Sequence, residues 1–380
     1  MSDARILPSP ERPPIPRGTV VVRDGRILAV GEDLPIPPGV PVLSGAGRVL
    51  VAGFWNAHVH FTEPIWAGSA GQSAARLVSQ LGAMFTSRGF TTVVDTGSDP
   101  RSTGPIRDRI ESGEVPGPRV YTAGTPLYPP RGIPYYLDDT IPFWVRFLIP
   151  QPARPSAATR AVGRGIARGC DLVKIFTGSY VARGTVKHMP APIARAAVET
   201  AHGHGRLVYS HPSDREGTRV AVRAGVDILA HPPDSTEGVD DSVVRSMVER
   251  GMAMTPTLKM FADTASPSAA YLDPIYDVVR RFRAAGGELL FGTDVGYLRD
   301  YSTEAEFRAL DRCGLGGVDI LRMLTTAPAG RFGVGAETGT VEVGRRADFV
   351  LLYADPTEDV GNFARVRATV RGGRVLYSQG

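Results

Sequence analysis

The chain has 380 residues, of which 42% are hydrophobic and 22% charged, as expected for a globular protein with a sizeable core. Its net charge of +4 and scattered basic residues argue against nucleic-acid binding, and no segment approaches the roughly 20 apolar residues of a membrane span. Two cysteines, Cys170 and Cys313, cannot build a disulfide framework. With no signal peptide visible in "MSDARILPSP", they predict a cytoplasmic protein.

Both ends of the chain contain short predicted strands joined by turns. Residues 18–52 include "GTVVVRDGRILAV", in which "RDGR" predicts a hairpin turn. Residues 339–377 include "RVRATVRGGRVLYS", in which "RGGR" predicts another. We expect the two ends to pair as one small β-sandwich lobe.

Between these ends, β-branched runs alternate with helical patterns, which favours β/α units and a parallel sheet. The predicted strands are "VAGFWNAHV", "FTTVVDTG", "RVYTAG", "DLVKIF", "RLVYSH", "VDILAH", "MAMTPTL" and "ELLFGTD". Eight units predict an α/β fold, a (β/α)8 TIM barrel over residues 51–335, with the lobe formed by residues 1–50 and 336–380. Chemistry is then expected at the C-terminal ends of the strands.

A long aromatic and proline-rich insertion, residues 125–155, separates the third and fourth predicted strands. Loops of this length in compact domains are usually lids or disordered segments. Its apolar run "IPFWVRFLIP" is compatible with a buried helix, but we favour a cover over the barrel mouth.

Two histidine pairs have the same spacing but different contexts. His58 and His60 lie on the first predicted strand, where side chains two residues apart point to one face and can reach one ion. His202 and His204 follow a helical run and are bounded by glycines. Because residues two apart on a helix diverge, we interpret this second pair as a helix terminus.

Further polar residues recur at the ends of later strands: Lys174, His211, His231 and Asp294. Imidazole and carboxylate together suit zinc or a similar divalent ion. The chain has only three lysines among 43 basic residues, so a lysine at a strand end indicates a role that arginine cannot fill.

These motifs resemble the amidohydrolase superfamily of metal-dependent barrels, closest to its imidazolonepropionase-like and Xaa-Pro or Xaa-Arg dipeptidase-like branch. The resemblance covers nearly the whole chain, including "GTVVVRDGRILAVG", "GTVEVGRRADFVLLYADP" and "LTTAPAGRFGV". Two positions depart from the family pattern. Asn56 stands where many members have aspartate, and Ala327 replaces the asparagine of "T-x-N-P-A"; neither position is a metal ligand.

The resemblance implies a two-metal centre, most simply with zinc. It places one ion on His58, His60, a carboxylated Lys174 and Asp294, and a second on the same lysine with His211 and His231. It also implies that Asp294 moves the proton from an attacking metal-bound hydroxide to the leaving nitrogen. A neutral lysine can react with carbon dioxide, whereas arginine stays protonated.

Other residues near the strand ends are candidates for substrate binding. Lys187, beside His188, and Lys259 could hold a substrate carboxylate, and Tyr180 and Tyr297 could line the pocket.

The sequence therefore predicts a binuclear hydrolase that cleaves a C–N bond in a small amide, N-acyl amino acid, dipeptide or cyclic amide. Lactone or phosphotriester hydrolysis on the same centre, a mononuclear deaminase and a non-catalytic barrel are the alternatives. A deaminase would typically carry H-x-x-E on the fifth strand, where this chain has "HPSD". We expect a small-molecule substrate, no nucleic-acid or membrane partner, and a possible homo-oligomer.

Overall fold

A computed structural model describes residues 1–36, 38–137 and 146–379. The strands are β1 (Ala4–Ile6), β2 (Ile15–Arg23), β3 (Arg26–Gly31), β4 (Val49–Ala52), β5 (Phe54–Val59), β6 (Phe90–Asp95), β7 (Arg119–Thr122), β8 (Leu172–Phe176), β9 (Gly178–Ala182), β10 (Thr185–His188), β11 (Leu207–His211), β12 (Ile228–Ala230), β13 (Ala253–Thr255), β14 (Glu288–Leu289), β15 (Phe349–Leu352), β16 (Val366–Arg371) and β17 (Arg374–Ser378). The helices are α1 (Ala74–Met84), α2 (Pro100–Glu111), α3 (Pro155–Ala167), α4 (Ala191–Gly203), α5 (Arg215–Ala224), α6 (Asp241–Glu249), α7 (Leu258–Thr264), α8 (Ala269–Ala284), α9 (Glu304–Arg312), α10 (Gly317–Leu324) and α11 (Thr326–Arg331). In the described ranges, none of these helices is long and apolar enough to cross a membrane.

The two ends of the chain pair in one sheet, as predicted. Its strand order is β17-β16-β15-β4-β1-β2-β3, with β15 antiparallel to β4 and β1 parallel to β4. The register sets Phe349 opposite Ala52 and Leu352 opposite Val49. Strand β4 therefore joins the N-terminal hairpin to the C-terminal strands.

The lobe differs from the expected sandwich of two sheets, because its hydrogen bonds run through seven strands in one continuous order. The sheet curves, so that the Ile27 amide at one edge donates to the Arg345 carbonyl just before β15. Val20 and Ile27 consequently share one apolar cluster with Phe349 and Val370. The curved sheet encloses the core that two stacked layers would otherwise form.

The central part of the chain contains two parallel sheets. One has the order β5-β6-β7 and the other β14-β13-β12-β11-β8. All pairs within them are parallel, and most of their residues are buried, as expected for strands covered by helices on the outside. Every predicted strand window contains one of these eight strands.

Backbone hydrogen bonds also join the outer edges of the two parallel sheets. Between β7 and β8, the Asp171 amide donates to Thr122 O at 2.8 Å, and the Leu127 amide donates to Lys174 O at 2.9 Å. Between β5 and the residues after β14, the Ala57 amide donates to Phe291 O at 2.7 Å. The carboxyl ends of all eight strands therefore lie on the same side of the molecule.

Two strand predictions need correction. The window "VAGFWNAHV" belongs to two sheets, because the chain passes from β4 to β5 at Gly53, where an added Cβ would lie 2.2 Å from Thr91 Oγ1. The eighth window forms regular strand only over Glu288–Leu289, and residues 290–294 continue without it. Asp294 adopts a left-handed backbone, φ 57°, which a strand cannot accommodate.

The loop after β8 contains an antiparallel hairpin, β9 and β10, that the sequence did not reveal. Of the insertion at residues 125–155, the structure shows a short 3-10 turn at Tyr135–Leu137 and another at Arg146–Leu148. The first half of the apolar run "IPFWVRFLIP", residues 141–145, lies outside the described residues, so its role as a cover stays a prediction.

Candidate metal centre

The six predicted metal ligands all lie at or just beyond the carboxyl ends of the parallel strands. His58 is in β5, His60 directly follows it, Lys174 is in β8, His211 ends β11, His231 follows β12 and Asp294 follows β14. The strand ends bring together residues that are more than 200 positions apart in sequence. Four of the six, namely His58, Lys174, His231 and Asp294, are buried.

Asp294 lies at the centre of this group. Its Oδ1 is 2.9 Å from His60 Nε2 and 3.4 Å from His58 Nε2, and its Oδ2 is 3.8 Å from His231 Nε2. Ligand atoms of His58, His60 and Asp294 lie within 4.8 Å of one another, close enough to share one ion. The ring centroids of His211 and His231 are 5.2 Å apart, so a second pair of imidazoles adjoins the first set.

The environment of the imidazoles favours their neutral form. Burial, together with the positive charge of Lys174 and of neighbouring histidines, puts the pKa of His58 and of His231 well below the usual value. Burial and the Lys174 charge lower the pKa of His211 to about 3. A neutral imidazole is the form that binds a cation, so these three rings are ready as ligands at neutral pH.

His60 differs from the other three histidines. Burial lowers its pKa, but the hydrogen bond to Asp294 and the charges of Asp294 and Asp95 outweigh burial, and its pKa is raised. The contact with Asp294 therefore favours the protonated form of His60.

Hydrogen bonds fix the orientation of two ligand rings. His60 Nδ1 lies 2.7 Å from Gly97 O and His231 Nδ1 lies 2.5 Å from Thr257 Oγ1. Each bond leaves the Nε2 atom facing Asp294. This is how second partners usually orient histidines that bind metals.

His58 provides the test of whether these residues fit a cation. Both of its ring nitrogens are buried and neither has a hydrogen-bond partner in the described part of the chain. A buried polar atom without a partner is unfavourable by about 1–3 kcal/mol, and such atoms commonly mark an ion or water site. The donor set of imidazoles beside a carboxylate suits a divalent ion such as zinc.

Lys174 is the only lysine of the three that is close to these histidines. It is 3% exposed, its Nζ lies 5.6 Å from the centroid of the Phe176 ring, and that ring stacks on His211 at 4.7 Å. Burial lowers the pKa of Lys174 to about 7, although the charge of Asp294 opposes this effect. A substantial fraction of the amine is therefore neutral at neutral pH.

Backbone strain is concentrated at the same strand ends. His231, Thr257 and Asp294 have left-handed φ angles of 72°, 45° and 57° although none of them is glycine. Such conformations are unfavourable by about 1–3 kcal/mol each and occur preferentially at functional sites. The surrounding packing holds these side chains in positions that a regular strand would not provide.

Asn56, one of the two departures from the family pattern, does not face the ligands. Its Nδ2 donates to Thr293 Oγ1 at 2.7 Å and its Oδ1 accepts from the amides of His58 and Thr293. Asn56 therefore ties β5 to the residues before Asp294.

The predicted substrate-binding residues have more varied surroundings. In the β9–β10 hairpin, Tyr180 pairs with Val186 and Lys187 with Ser179, so Tyr180 and Lys187 lie on opposite faces. His188 Nε2 contacts both carboxylate oxygens of Asp214 at 2.9 Å.

Lys259 and Tyr297 differ in how freely they could reach a substrate. Lys259 is buried, and its Nζ contacts Asp300 Oδ2 at 2.8 Å and Asp300 O at 2.9 Å. These contacts give Lys259 a structural role, and a role toward substrate stays a prediction. Tyr297 is partly exposed beside Asp294, and its ring lies 5.9 Å from that of Tyr136.

The sequence reasoning missed Asp234, Tyr136 and Tyr271, which interact electrostatically with one another or with Asp294 near the site. Asp234 was the easiest to find, because it follows the ligand His231 by three residues in "HPPD" at a strand end. Tyr136 lies in the insertion and Tyr271 in α8, and neither is near a recognisable motif.

A glycine after Asp294 gives a direct test of this packing. Gly296 has φ 100°, and an added Cβ would lie 1.9 Å from the His60 carbonyl oxygen. Gly296→Ala should therefore lower the free energy of unfolding by about 2–4 kcal/mol, measured by urea denaturation. Gly104→Ala in α2 is the control, because its Cβ would meet nothing within 4 Å. An unfolding curve for Gly296→Ala that matches the parent would contradict this packing.

Comparisons with known proteins agree with this geometry. An imidazolonepropionase of Thermoplasma acidophilum is 22% identical over 391 residues, covering 95% of this chain and 90% of that protein. Uncharacterized proteins of Mycobacterium tuberculosis and Mycobacterium bovis are 27% identical over 219 residues, and the match spans about half (54%) of their length. A crystal structure of a Xaa-Pro dipeptidase with bound methionine superposes with a TM-score of 0.83 at 21% identity, over 100% of this chain and 99% of that chain.

The family model for the amidohydrolase family matches residues 49–376. This range includes all six predicted ligands and begins at β4, the strand that joins the lobe to β5. The resemblance inferred from the sequence motifs is confirmed. Since the match spans most of the chain, the protein belongs to the amidohydrolase family.

Proposed function

We propose that the protein is a binuclear metal-dependent hydrolase that cleaves a C–N bond of a small amide, N-acyl amino acid, dipeptide or cyclic amide. The observation that carries the proposal is that the buried, neutral imidazoles of His58 and His231 lie beside Asp294. Lys174, whose amine is partly neutral at neutral pH, is buried near them. Membership of the amidohydrolase family supports the same reaction class.

The residues would hold two ions. His58, His60 and Asp294 would hold one ion, and His211 and His231 the other, with carboxylated Lys174 as the bridge. The neutral Lys174 amine would form its new N–C bond to carbon dioxide and release one proton, which leaves an anionic carbamate. Imidazole nitrogens with carboxylate oxygens make zinc the first choice of metal.

In the mechanism, the bound ions would supply Lewis acidity, which polarises the scissile carbonyl and lowers the pKa of a water. Asp294 would accept a proton from that water on one carboxylate oxygen and pass it to the leaving nitrogen. Its oxygens already face Nε2 atoms on two sides, so the carboxylate is held in one orientation. The bonds from His60 to Gly97 and from His231 to Thr257 would keep both rings from rotating.

We further propose that the two parallel sheets close into one (β/α)8 barrel over residues 51–335, with residues 1–50 and 336–380 forming the lobe. Hydrogen bonds between β7 and β8, and between β5 and residues 291–295, support this closure. Both cysteines are free and buried, which supports a reducing compartment such as the cytoplasm. A homo-oligomer stays a prediction for sedimentation analysis.

Metal analysis followed by a hydrolysis screen tests the proposed function. We expect about two divalent ions per chain and turnover of at least one substrate among N-acyl amino acids, Xaa-Pro dipeptides and cyclic imides. Turnover should disappear on chelation and return with zinc. Activity confined to lactones or phosphotriesters, or a single ion with release of ammonia from an amino heterocycle, would contradict the proposal in favour of its two enzymatic alternatives. Binding or activity unaffected by metal removal would favour a non-catalytic protein.

A further inference from the structure

One carboxylate and four phenols interact electrostatically near the candidate metal centre: Asp234, Tyr136, Tyr180, Tyr271 and Tyr297, which we call the mouth group. Tyr180 lies in β9, Tyr271 in α8, and Tyr136 in the turn before the undescribed part of the insertion. The rings of Tyr136 and Tyr297 meet at 5.9 Å. Five separate segments of the chain therefore contribute to this group.

Two phenols of the mouth group, Tyr136 and Tyr297, interact with both Asp294 and Asp234. Burial, together with the negative charges of Asp294 and Asp234, raises the pKa of Tyr297 to about 12. Burial also raises the pKa of Tyr136 well above its usual value, and both of these carboxylates add to the effect. The two phenols thus lie within the electrostatic reach of the proposed catalytic aspartate and of Asp234.

Tyr180 and Tyr271 surround Asp234 from the other side. Burial raises the pKa of both phenols, and the charge of Asp234 raises both further. Tyr180 and Asp234 act on each other: the phenol lowers the pKa of the Asp234 carboxyl, and the carboxylate raises the pKa of the phenol. Tyr271 is linked to the metal centre through Phe261, whose ring lies 6.1 Å from that of His231. Asp234, which is partly exposed, therefore interacts with two phenols on this side.

No cation neutralises Asp234. In the described ranges, no lysine, arginine or histidine forms an ion pair with its carboxylate, and the undescribed residues 37, 138–145 and 380 include none of these residue types. The charge of Asp214 opposes ionisation of Asp234, and together with burial it raises the pKa of Asp234 to about 7. Asp214 itself is occupied by His188 and by the Gly217 amide at the start of α5.

A partly buried carboxylate without a cation is unfavourable, and a cationic donor on a ligand removes this penalty through a charge-assisted hydrogen bond. Phenol rings around the same position add attraction for a cation. A ligand carboxylate placed there would be repelled instead. The mouth group therefore distinguishes ligands by the sign of the charge that they bring to it.

We propose that Asp234, with Tyr180 and Tyr271, is the specificity determinant that selects substrates carrying a protonated amine beside the scissile C–N bond. This inference rests on the proposed function and narrows its substrate class, since it favours free-amine dipeptides or basic amides over N-acyl amino acids. Asp234 acts by binding the substrate and takes no part in the proton transfer assigned to Asp294.

The hydrolytic test compares one substrate in two forms, a dipeptide with a free amino group and the same dipeptide N-acetylated. The pH is about 7.5, where most of Asp234 is ionised and most of the dipeptide amine is still protonated. With Asp234→Asn, kcat/KM for the free amine should fall on the order of 100-fold, whereas kcat/KM for the acetylated form should stay within about 3-fold. Glu237→Gln, an exposed change in the same loop, should alter neither value. Equal loss on both forms, or no loss, would overturn the inference.

A binding test on the metal-loaded protein separates this inference from the proposed function. Calorimetry with 2-phenylethylamine and with 2-phenylethanol compares a cation with a neutral isostere, and neither probe can be hydrolysed. The amine should bind at least about 10-fold more tightly than the alcohol, and Asp234→Asn should remove the difference. If no C–N substrate is cleaved but this preference holds, the proposed function fails and the amine site stands. Equal binding of the probes, or binding of neither, would overturn the amine site.

Discussion

Asp294→Asn should reduce kcat by about 10³–10⁴-fold while leaving the chain folded, because the amide retains the shape of the carboxylate but cannot accept the proton. Asp294 has two histidine Nε2 atoms within 3.4 Å of Oδ1 and the Nε2 of His231 at 3.8 Å from Oδ2. No other carboxylate in the described residues has this position among the six ligands. The measurement is steady-state turnover of the best substrate from the hydrolysis screen, with metal content determined in parallel.

The matched control is Asp273→Asn, an exposed change on α8, which should leave kcat unchanged. Metal content of Asp294→Asn should stay within about a factor of two of the parent, since the amide oxygen can still serve as a weak ligand. Undiminished turnover by Asp294→Asn would reject its role in proton transfer. A loss of turnover matched by complete loss of metal would reduce Asp294 to a ligand only.

Lys174→Arg should lose the bridged pair of ions and lower kcat by at least about 100-fold. Arginine cannot lose its proton and so cannot form the carbamate, and its fixed charge would repel cations from His211 and His231. In the parent, burial lowers the pKa of Lys174 to about 7, so the neutral amine needed for the reaction is abundant. Metal content should fall from about two ions per chain to one or fewer, measured by elemental analysis of dialysed protein.

Lys187→Arg is the control for this change, because Lys187 lies in the β9–β10 hairpin on the face opposite Tyr180. It should retain both ions. Two fully occupied ions in Lys174→Arg would exclude a carbamate bridge. Loss of both ions in Lys187→Arg would show that the change acts through general destabilisation.

Local patterns in the sequence predicted the two histidine pairs correctly. His58 lies in β5 and His60 directly follows it, and the His58 and His60 rings are 5.3 Å apart. Helix α4 ends at Gly203, and His202 faces Asp227 at 2.9 Å, away from the metal centre. A strand and a helix differ in the periodicity of their side chains. This difference can be read from one short segment of the chain, without knowledge of distant segments.

Patterns that depend on distant segments were predicted less well. The sequence did not indicate that Gly53 divides one apolar run between two sheets, since the reason is the approach of Thr91. It also did not reveal the hairpin that presents Tyr180, or the single curved sheet of the lobe. The end of β14 is early because contacts with β5 hold Asp294 in a left-handed conformation.

The sequence by itself determined the family, the alternation of strands and helices, and which six polar residues stand at strand ends. These features follow from the periodicity and spacing of side chains along the chain. Only the tertiary structure decided which charges are neutralised. His188 forms an ion pair with Asp214 and Asp300 with Lys259, whereas Asp234 has no cationic partner among the described residues. The reason is physical, because the energy of a charge depends on burial and on the distance to other charges, and both are set by segments far apart in sequence.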